Sequence, residues 1–339
     1  MVPCVLSGNF VRVPGPVAPV LTCRSMIKVR VVGDISEAPN LVSTDLAEVR
    51  DLLEAVGRFD DHQALGEHKW LDLVHGGRPR FTGFIAEDPP HPHPVGYAHL
   101  SAEGSAGSPG PPVALWGLEV VVDPEHRGIG VEVALVEAAL EHAAEQGGGT
   151  VHFWVFRPTQ IHDALAHRLG FNRGRELLQM RRPLPHPEAP RWPPGTVVRR
   201  FVPGEDEDAW LAVNNRAFEG HVEQGGWDRS TLAQRQTEPW FDPSGFLLAE
   251  RDGELAGFCW TKVHHNGLGE IYVIAVDPGA QGAGLGKALV LGGLAGLAER
   301  GIGTGMLYVD AANEGAVGLY RHLGFEVHHV DRAYVAELH

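Results

Sequence analysis

Residues 276–289 read VDPGAQGAGLGKAL. Glycine weakens a helix by about 1 kcal/mol relative to alanine, yet Gly282, Gly284 and Gly286 crowd the point where an apolar helix should begin. The first backbone N–H groups of a helix have no intrahelical partner, and the helix dipole adds about half a positive charge there. With few side chains in the way, Gln281, Gly282, Ala283, Gly284, Leu285, Gly286 and Lys287 read as an anion cradle that fits a pyrophosphate. The loop lacks the Lys-Ser/Thr ending of a nucleotide-hydrolase P-loop, and the G-x-G-x-x-G register of a dinucleotide loop does not fit it. A carboxylate, Glu270, opens the strand that runs into the loop, and a phenol, Tyr320, stands on a later helix.

The elements that must position these groups occur twice. VDPEHRGIGVEVALVEAALEHAAEQGGGT begins at Val122 and VDPGAQGAGLGKALVLGGLAGLAERGIGT at Val276, an offset of 154 residues that also relates the Leu-Gly-Phe at 169 to that at 323. A co-linear match of this length indicates two copies of one domain. The second copy reads as a strand (196–202), an acidic-start helix (205–218), a short helix ending near 238, and a hairpin turning at Asp252-Gly253. A strand (270–276), a helix (285–300), a strand (305–309), a helix (313–322) and a closing strand or hairpin follow. The expected fold class is α+β: two tandem domains, each a mixed, mostly antiparallel sheet flanked by helices. The expected boundaries are a disordered tail or mis-assigned start at 1–25, a first domain at 26–182, a linker at 183–195 and a catalytic second domain at 196–339. So many prolines between Arg182 and Gly195 make a stiff extended spacer, and the Pro/Gly/Ser stretch 101–112 reads as a loop within the first copy.

The motif Val-x-Pro-x-x-Gln/Arg-Gly-x-Gly-x-Gly, carried by Val276, Pro278, Gln281, Gly282, Gly284 and Gly286, resembles the coenzyme A loop of the GNAT superfamily of acetyl-CoA-dependent N-acetyltransferases. The downstream N-x-x-A-x-x-L-Y-x-x-L-G-F, Asn313 to Phe325, is similar to the same superfamily's fourth helix and turn. The resemblance implies that acetyl-CoA is held by Ile274, Ala275 and Val276, by the loop, and by Asn313, Glu314, Gly315, Ala316, Val317 and Gly318. Glu270 is expected as general base and Tyr320 as the acid meeting the leaving sulfur. A phenol near pKa 10 can protonate a thiolate near 8.5.

The offset gives an internal control. It sets Trp116 opposite Glu270, Ala166 opposite Tyr320 and Glu132 opposite Gly286, so the first copy is expected to be non-catalytic. Whether Val120, Val121 and Val122 there still hold a second acetyl-CoA is open, because a carboxylate in the first helical turn competes with a pyrophosphate for the same field. The segment from Asn214 onward, together with the tandem layout, resembles the mycothiol synthase family, whose members acetylate the cysteinyl amine of cysteinyl-glucosaminyl-inositol. That resemblance implies substrate contacts at Glu223, Lys262, Glu270 and Tyr308, with Glu67 reaching across from the first copy. A tandem GNAT acting on an aminoglycoside or a protein N-terminus, or a non-catalytic acetyl-CoA sensor, are the alternatives.

Composition bounds the rest. A net charge of −15 in 339 residues leaves no basic face for nucleic acid. No apolar run approaches the roughly 20 residues of a bilayer span. Cys4, Cys23 and Cys259 are too few and scattered for a disulfide framework or a zinc site. His91 and His93 alternate with prolines and read as solvated loop histidines, so no metal site is expected. The chain is read as a cytoplasmic monomer whose partner is a small-molecule pseudodisaccharide thiol.

Overall fold

Asp252 and Gly253 both take positive φ, 54° and 84°, the signature of the two-residue turn that matches strand twist. They join β8 (Phe246–Arg251) to β9 (Glu254–Val263). From such local units the computed structural model of the chain builds one sheet; it describes residues 27–32, 43–75, 81–89, 91–103, 115–220 and 224–338. The N-terminal half contributes β1 (Lys28–Val32), α1 (Ser43–Asp60), α2 (Glu67–His75), β2 (Phe81–Glu87), β3 (Gly96–Glu103), β4 (Leu115–Val122), α3 (Val131–Glu145), β5 (Gly149–Val155), α4 (Gln160–Arg168) and β6 (Asn172–Pro183). The C-terminal half adds β7 (Thr196–Arg200), α5 (Glu207–Ala217), α6 (Arg229–Gln236), β8, β9, β10 (Gly269–Val276), α7 (Leu285–Glu299), β11 (Thr304–Asp310), α8 (Glu314–His322) and β12 (Glu326–Leu338). The α+β expectation and its tandem organisation are thereby met. The closing segment is one long strand, and residues 1–25 and most of the 101–112 loop lie outside the described residues.

Among the described residues the strand order is β1-β2-β3-β4-β5-β12-β6-β11-β10-β9-β8-β7. Only β4–β5 and β10–β11 are parallel; each is the strand–helix–strand unit of one copy. The last strands are exchanged: β6 of the first half pairs with β11 (Met180 opposite Leu307), and β12 of the second half pairs with β5 (Val335 opposite His152). The halves therefore share a continuous hydrogen-bonded ladder, and β6 carries first-half side chains into second-half territory.

Helices cover both faces. On one, α3 and α4 pack over the first half and α7 and α8 over the second; on the other lie α1 and α2, then α5 and α6. A Cβ at Gly293 would come 2.6 Å from Cys259 Sγ, so glycine inside α7 lets that helix sit close on the sheet, which offsets its cost in helix propensity. The opposite face is aromatic: Trp260 stacks on Phe246 at 4.5 Å, with Trp210 edge-on to both. Buried ring pairs of this kind add about 0.5–1.5 kcal/mol beyond their area, and they form a rigid floor beneath β9 and β10. The proline-rich segment after β6 bends at 184–185 and 187–188 and packs against its surroundings. Trp192 lies against Gly292, the Leu184 N–H donates to Gly303, and Glu188 pairs with Lys287.

Candidate active site

β10 and β11 pair only from Gly269 to Ile271, then part. A register shift between Ile271 and Val273 kinks β10 while it stays paired with β9. The Ala275 carbonyl turns toward β9 and Asp277 donates to Ala256 there; since backbone groups alternate along a strand, Ile274 and Val276 turn their amides into the fork. Beyond the fork, Gly282 and Gly284 take φ of 86° and 82°, with no atom within 4 Å of a placed Cβ. Gly284 caps α7 without any side-chain hydrogen bond, and Gln281 to Gly284 are exposed. Bare donors at a helix start in an open loop suit the pyrophosphate of coenzyme A. Lys287 differs from the others, since its ammonium is paired with Glu188. Asn313 caps α8 by accepting from Ala316 N–H; Glu314, Gly315 and Gly318 are exposed, and Val317 is core.

Tyr320 packs in the apolar cluster that holds Ile271 of β10 and Val309 of β11, with Ile274 and Val276 at its margin. Burial pushes its phenol up to about 12. It is therefore a neutral O–H at ordinary pH. Glu270 lies on β10 opposite Lys262 of β9, and its Oε2 accepts from His264 Nε2–H at 2.7 Å. Both side chains are mostly enclosed, 20% exposed for His264 and 10% for Glu270.

His264 opens onto a cavity of about 780 Å³ between the halves, inside the usual range for ligand sites of about 300–1,000 Å³. Glu67, Trp70, Arg157, Gln179 and Arg181 line it from the first half, and Trp240, Lys262, His264 and Tyr308 from the second. Glu67 opens α2 and forms a close ion pair with Lys262, whose Nζ also sits 4.3 Å over the Trp240 ring. Gln179 Nε2 donates to the Tyr308 hydroxyl at 2.7 Å, and Arg181 Nε donates to Gln179 Oε1. Desolvation and the nearby Glu270 charge raise the Tyr308 phenol above its ordinary range. Of the expected substrate contacts, Glu67, Lys262 and Tyr308 line this cavity and Glu270 adjoins it through His264; Glu223 lies outside the described residues. His264, Gln179 and Arg181 were not expected. His264 follows Lys262 closely on the same strand end, whereas only the strand exchange brings β6 here.

In the first half the repeat-related backbone groups are met by the chain's own side chains. β4 and β5 stay paired over five positions, Leu115 to Glu119. The Val122 carbonyl accepts from Arg127 Nε, and the Gly128 N–H donates to the Glu132 carboxylate at 3.1 Å. Trp116 stands where Glu270 does and donates to the Gly148 carbonyl; Ala166, in place of Tyr320, is buried.

The Acetyltransferase (GNAT) family model matches residues 46–171 and 210–325. The chain is similar to the mycothiol acetyltransferase of Acidothermus cellulolyticus, 44% identical over 305 residues covering 85% of this chain and 89% of that protein. Its similarity to the mycothiol acetyltransferase of Acidimicrobium ferrooxidans is 46% over 298 residues, 84% and 91% of the two chains. Among solved structures, the fold is shared with a GCN5-related N-acetyltransferase from Sphaerobacter thermophilus (TM-score 0.66, 22% identity, 91% of this chain and 95% of that one). It is shared equally with a tandem GNAT protein from the clavulanic acid biosynthesis pathway (TM-score 0.66, 17% identity, 91% and 98%).

Proposed function

Because the chain belongs to the acetyltransferase (GNAT) family, among the mycothiol acetyltransferases, we propose how its residues carry acetyl from acetyl-CoA to the cysteinyl amine of cysteinyl-glucosaminyl-inositol. Acetyl-CoA supplies the thioester acyl carbon; the fork and the glycine loop of the second half suit it, because Gln281 to Gly284 are exposed and the glycines put no side chain over the loop amides. Three tasks fall to the protein: an ammonium must lose a proton to gain a lone pair, the carbonyl must be polarised, and the departing thiolate must be protonated. Glu270 takes the amine proton, directly or through one water, while His264 fixes its carboxylate orientation. The fork amides of Ile274 and Val276 hold the pantetheine arm and polarise the carbonyl. Tyr320 gives its proton to the departing sulfur. Acid–base help of this kind is worth about 10²–10⁴-fold.

The acceptor occupies the cavity between the halves. A polyol bearing an ammonium is matched by the carboxylate of Glu67, the ammonium of Lys262, the amide of Gln179 and the phenol of Tyr308, which together offer donors and acceptors. The first half supplies wall and floor and binds no acetyl-CoA of its own, since Glu132 already takes the Gly128 N–H and Arg127 the Val122 carbonyl. The same reading has the chain act as a monomer in the cytoplasm, which keeps thiols reduced.

The carrying observation is the Glu270–His264 pair at the edge of a cavity lined by Glu67, Lys262 and Tyr308. Incubation with acetyl-CoA and cysteinyl-glucosaminyl-inositol, followed by mass spectrometry, should show one acetyl group added to the cysteinyl nitrogen. No product above the enzyme-free background refutes the proposal.

A further inference from the structure

Asp88 follows β2 directly and is 5% exposed, yet its Oδ1 has no hydrogen-bond partner. Buried carboxylate oxygens without partners are rare, because the desolvation goes uncompensated. Two imidazoles face it. The His91 N–H donates to the Asp88 carbonyl, and its Nε2 stands 3.8 Å from Asp88 Oδ2. His126, 8% exposed, lies in the turn after β4, and its ring meets that of His91 edge-on at 4.4 Å. One nitrogen or oxygen from each of the three side chains falls within 4.8 Å of the others. Behind them, Asp123 Oδ1 lies 3.1 Å from His126 Nδ1. A proton on Nδ1 leaves Nε2 as a lone-pair donor, which is the carboxylate–histidine support found behind metal-bound imidazoles.

We propose that Asp88, His91 and His126 form a binding site for a divalent transition metal of the zinc class. Two imidazoles and one carboxylate suit such an ion with water in the fourth position. With no thiolate, the set disfavours soft cuprous ions, and a single carboxylate is too few oxygens for calcium. Metal bonds of about 2.0–2.2 Å put tetrahedral ligand atoms about 3.3 Å apart, so the triad has to close slightly. His91, with its side chain 48% exposed, is free to make that rotation. None of the three residues lines the cavity between the halves, so the ion takes no part in acetyl transfer. It ties the β2–β3 loop to the turn that leads into the Arg127–Gly130 loop. Sequence spacing concealed this site, because His126 is remote along the chain from Asp88 and His91.

The test uses untagged full chain dialysed against EDTA, then titrated with zinc chloride by calorimetry and with cobalt(II) by visible absorption. Wild type should bind one zinc equivalent more than either His91→Ala or His126→Ala. It should also give the intense cobalt bands of a four-coordinate site, which both variants lose. Zinc should raise the melting temperature of wild type and leave that of His91→Ala unmoved. His91 is largely exposed, so that variant keeps its fold, and its acetyl-transfer rate should equal wild type. A wild type that binds no zinc, or variants that bind as many equivalents as wild type, overturns the proposal.

Discussion

The two halves carry the same strand–loop–helix unit and treat its polar backbone in opposite ways. In the second half β10 leaves β11 after three paired residues, and Gly286 offers no side chain to the loop amides. In the first half the corresponding strands run together for five, Arg127 takes the Val122 carbonyl, and Glu132 takes the Gly128 N–H. Backbone geometry is shared even to the left-handed glycines, with φ of 74° at Gly128 and 108° at Gly130. A few side chains thus set the two loops apart: Glu132 takes an amide of the first, and Gly286 leaves the second without that carboxylate. The first half contributes elsewhere: α1, α2 and the exchanged β6 build half of the cavity between the halves.

Substitutions that trade features between the halves sharpen this contrast. The largest effect is expected at Glu270. Glu270→Gln keeps the His264 contact but removes the base, and should lower kcat by about 10³-fold while the coenzyme A dissociation constant stays the same. An unchanged rate removes Glu270 from the mechanism. Next is Gly286→Glu, which gives the second loop the carboxylate of the first. Like charge against the pyrophosphate costs about 3 kcal/mol, more than 100-fold in affinity by calorimetry; unaltered affinity would mean the loop does not hold the anion. Tyr320→Phe, which removes the proton donor that Ala166 also lacks, should reduce kcat by about 10²-fold. With its phenol held up to about 12 by burial, wild type should show no alkaline loss of kcat from this group between about pH 8 and 10, where a phenol of ordinary pKa begins to ionise. Folding stability registers the same shift: the unfolded phenol ionises near 10 and the folded one later, so stability falls as pH rises above about 10. The smallest effect belongs to Glu132→Ala. Losing a first-turn acid costs about 0.3–1 kcal/mol, read as a slight drop in urea midpoint, with activity unchanged.

Much of this contrast was legible in the sequence. The 154-residue offset exposed Trp116, Ala166 and Glu132 as departures, and the Asp252-Gly253 turn and the helix over 285–300 follow from local preference and periodicity. The exchange of β6 and β12 was not legible, because a strand's alternation of apolar and polar residues says which face is buried and not which neighbour it meets. Gln179 and Arg181 were missed for that reason: they belong to the first copy in sequence and to the second copy's site in space. Glu67 and Lys262 were each reached only through family resemblance, as substrate contacts; the structure pairs them with one another across the halves. His264 was legible in principle, as a histidine just past the strand that pairs with Glu270, but its contact depends on the hairpin bend that brings its Nε2 to the carboxylate.

Calorimetric titration of coenzyme A into the full chain probes the claim most directly. One equivalent per chain is expected, lost in Gly286→Glu and retained in Glu132→Ala. Two equivalents in wild type, or one that survives Gly286→Glu, would contradict it.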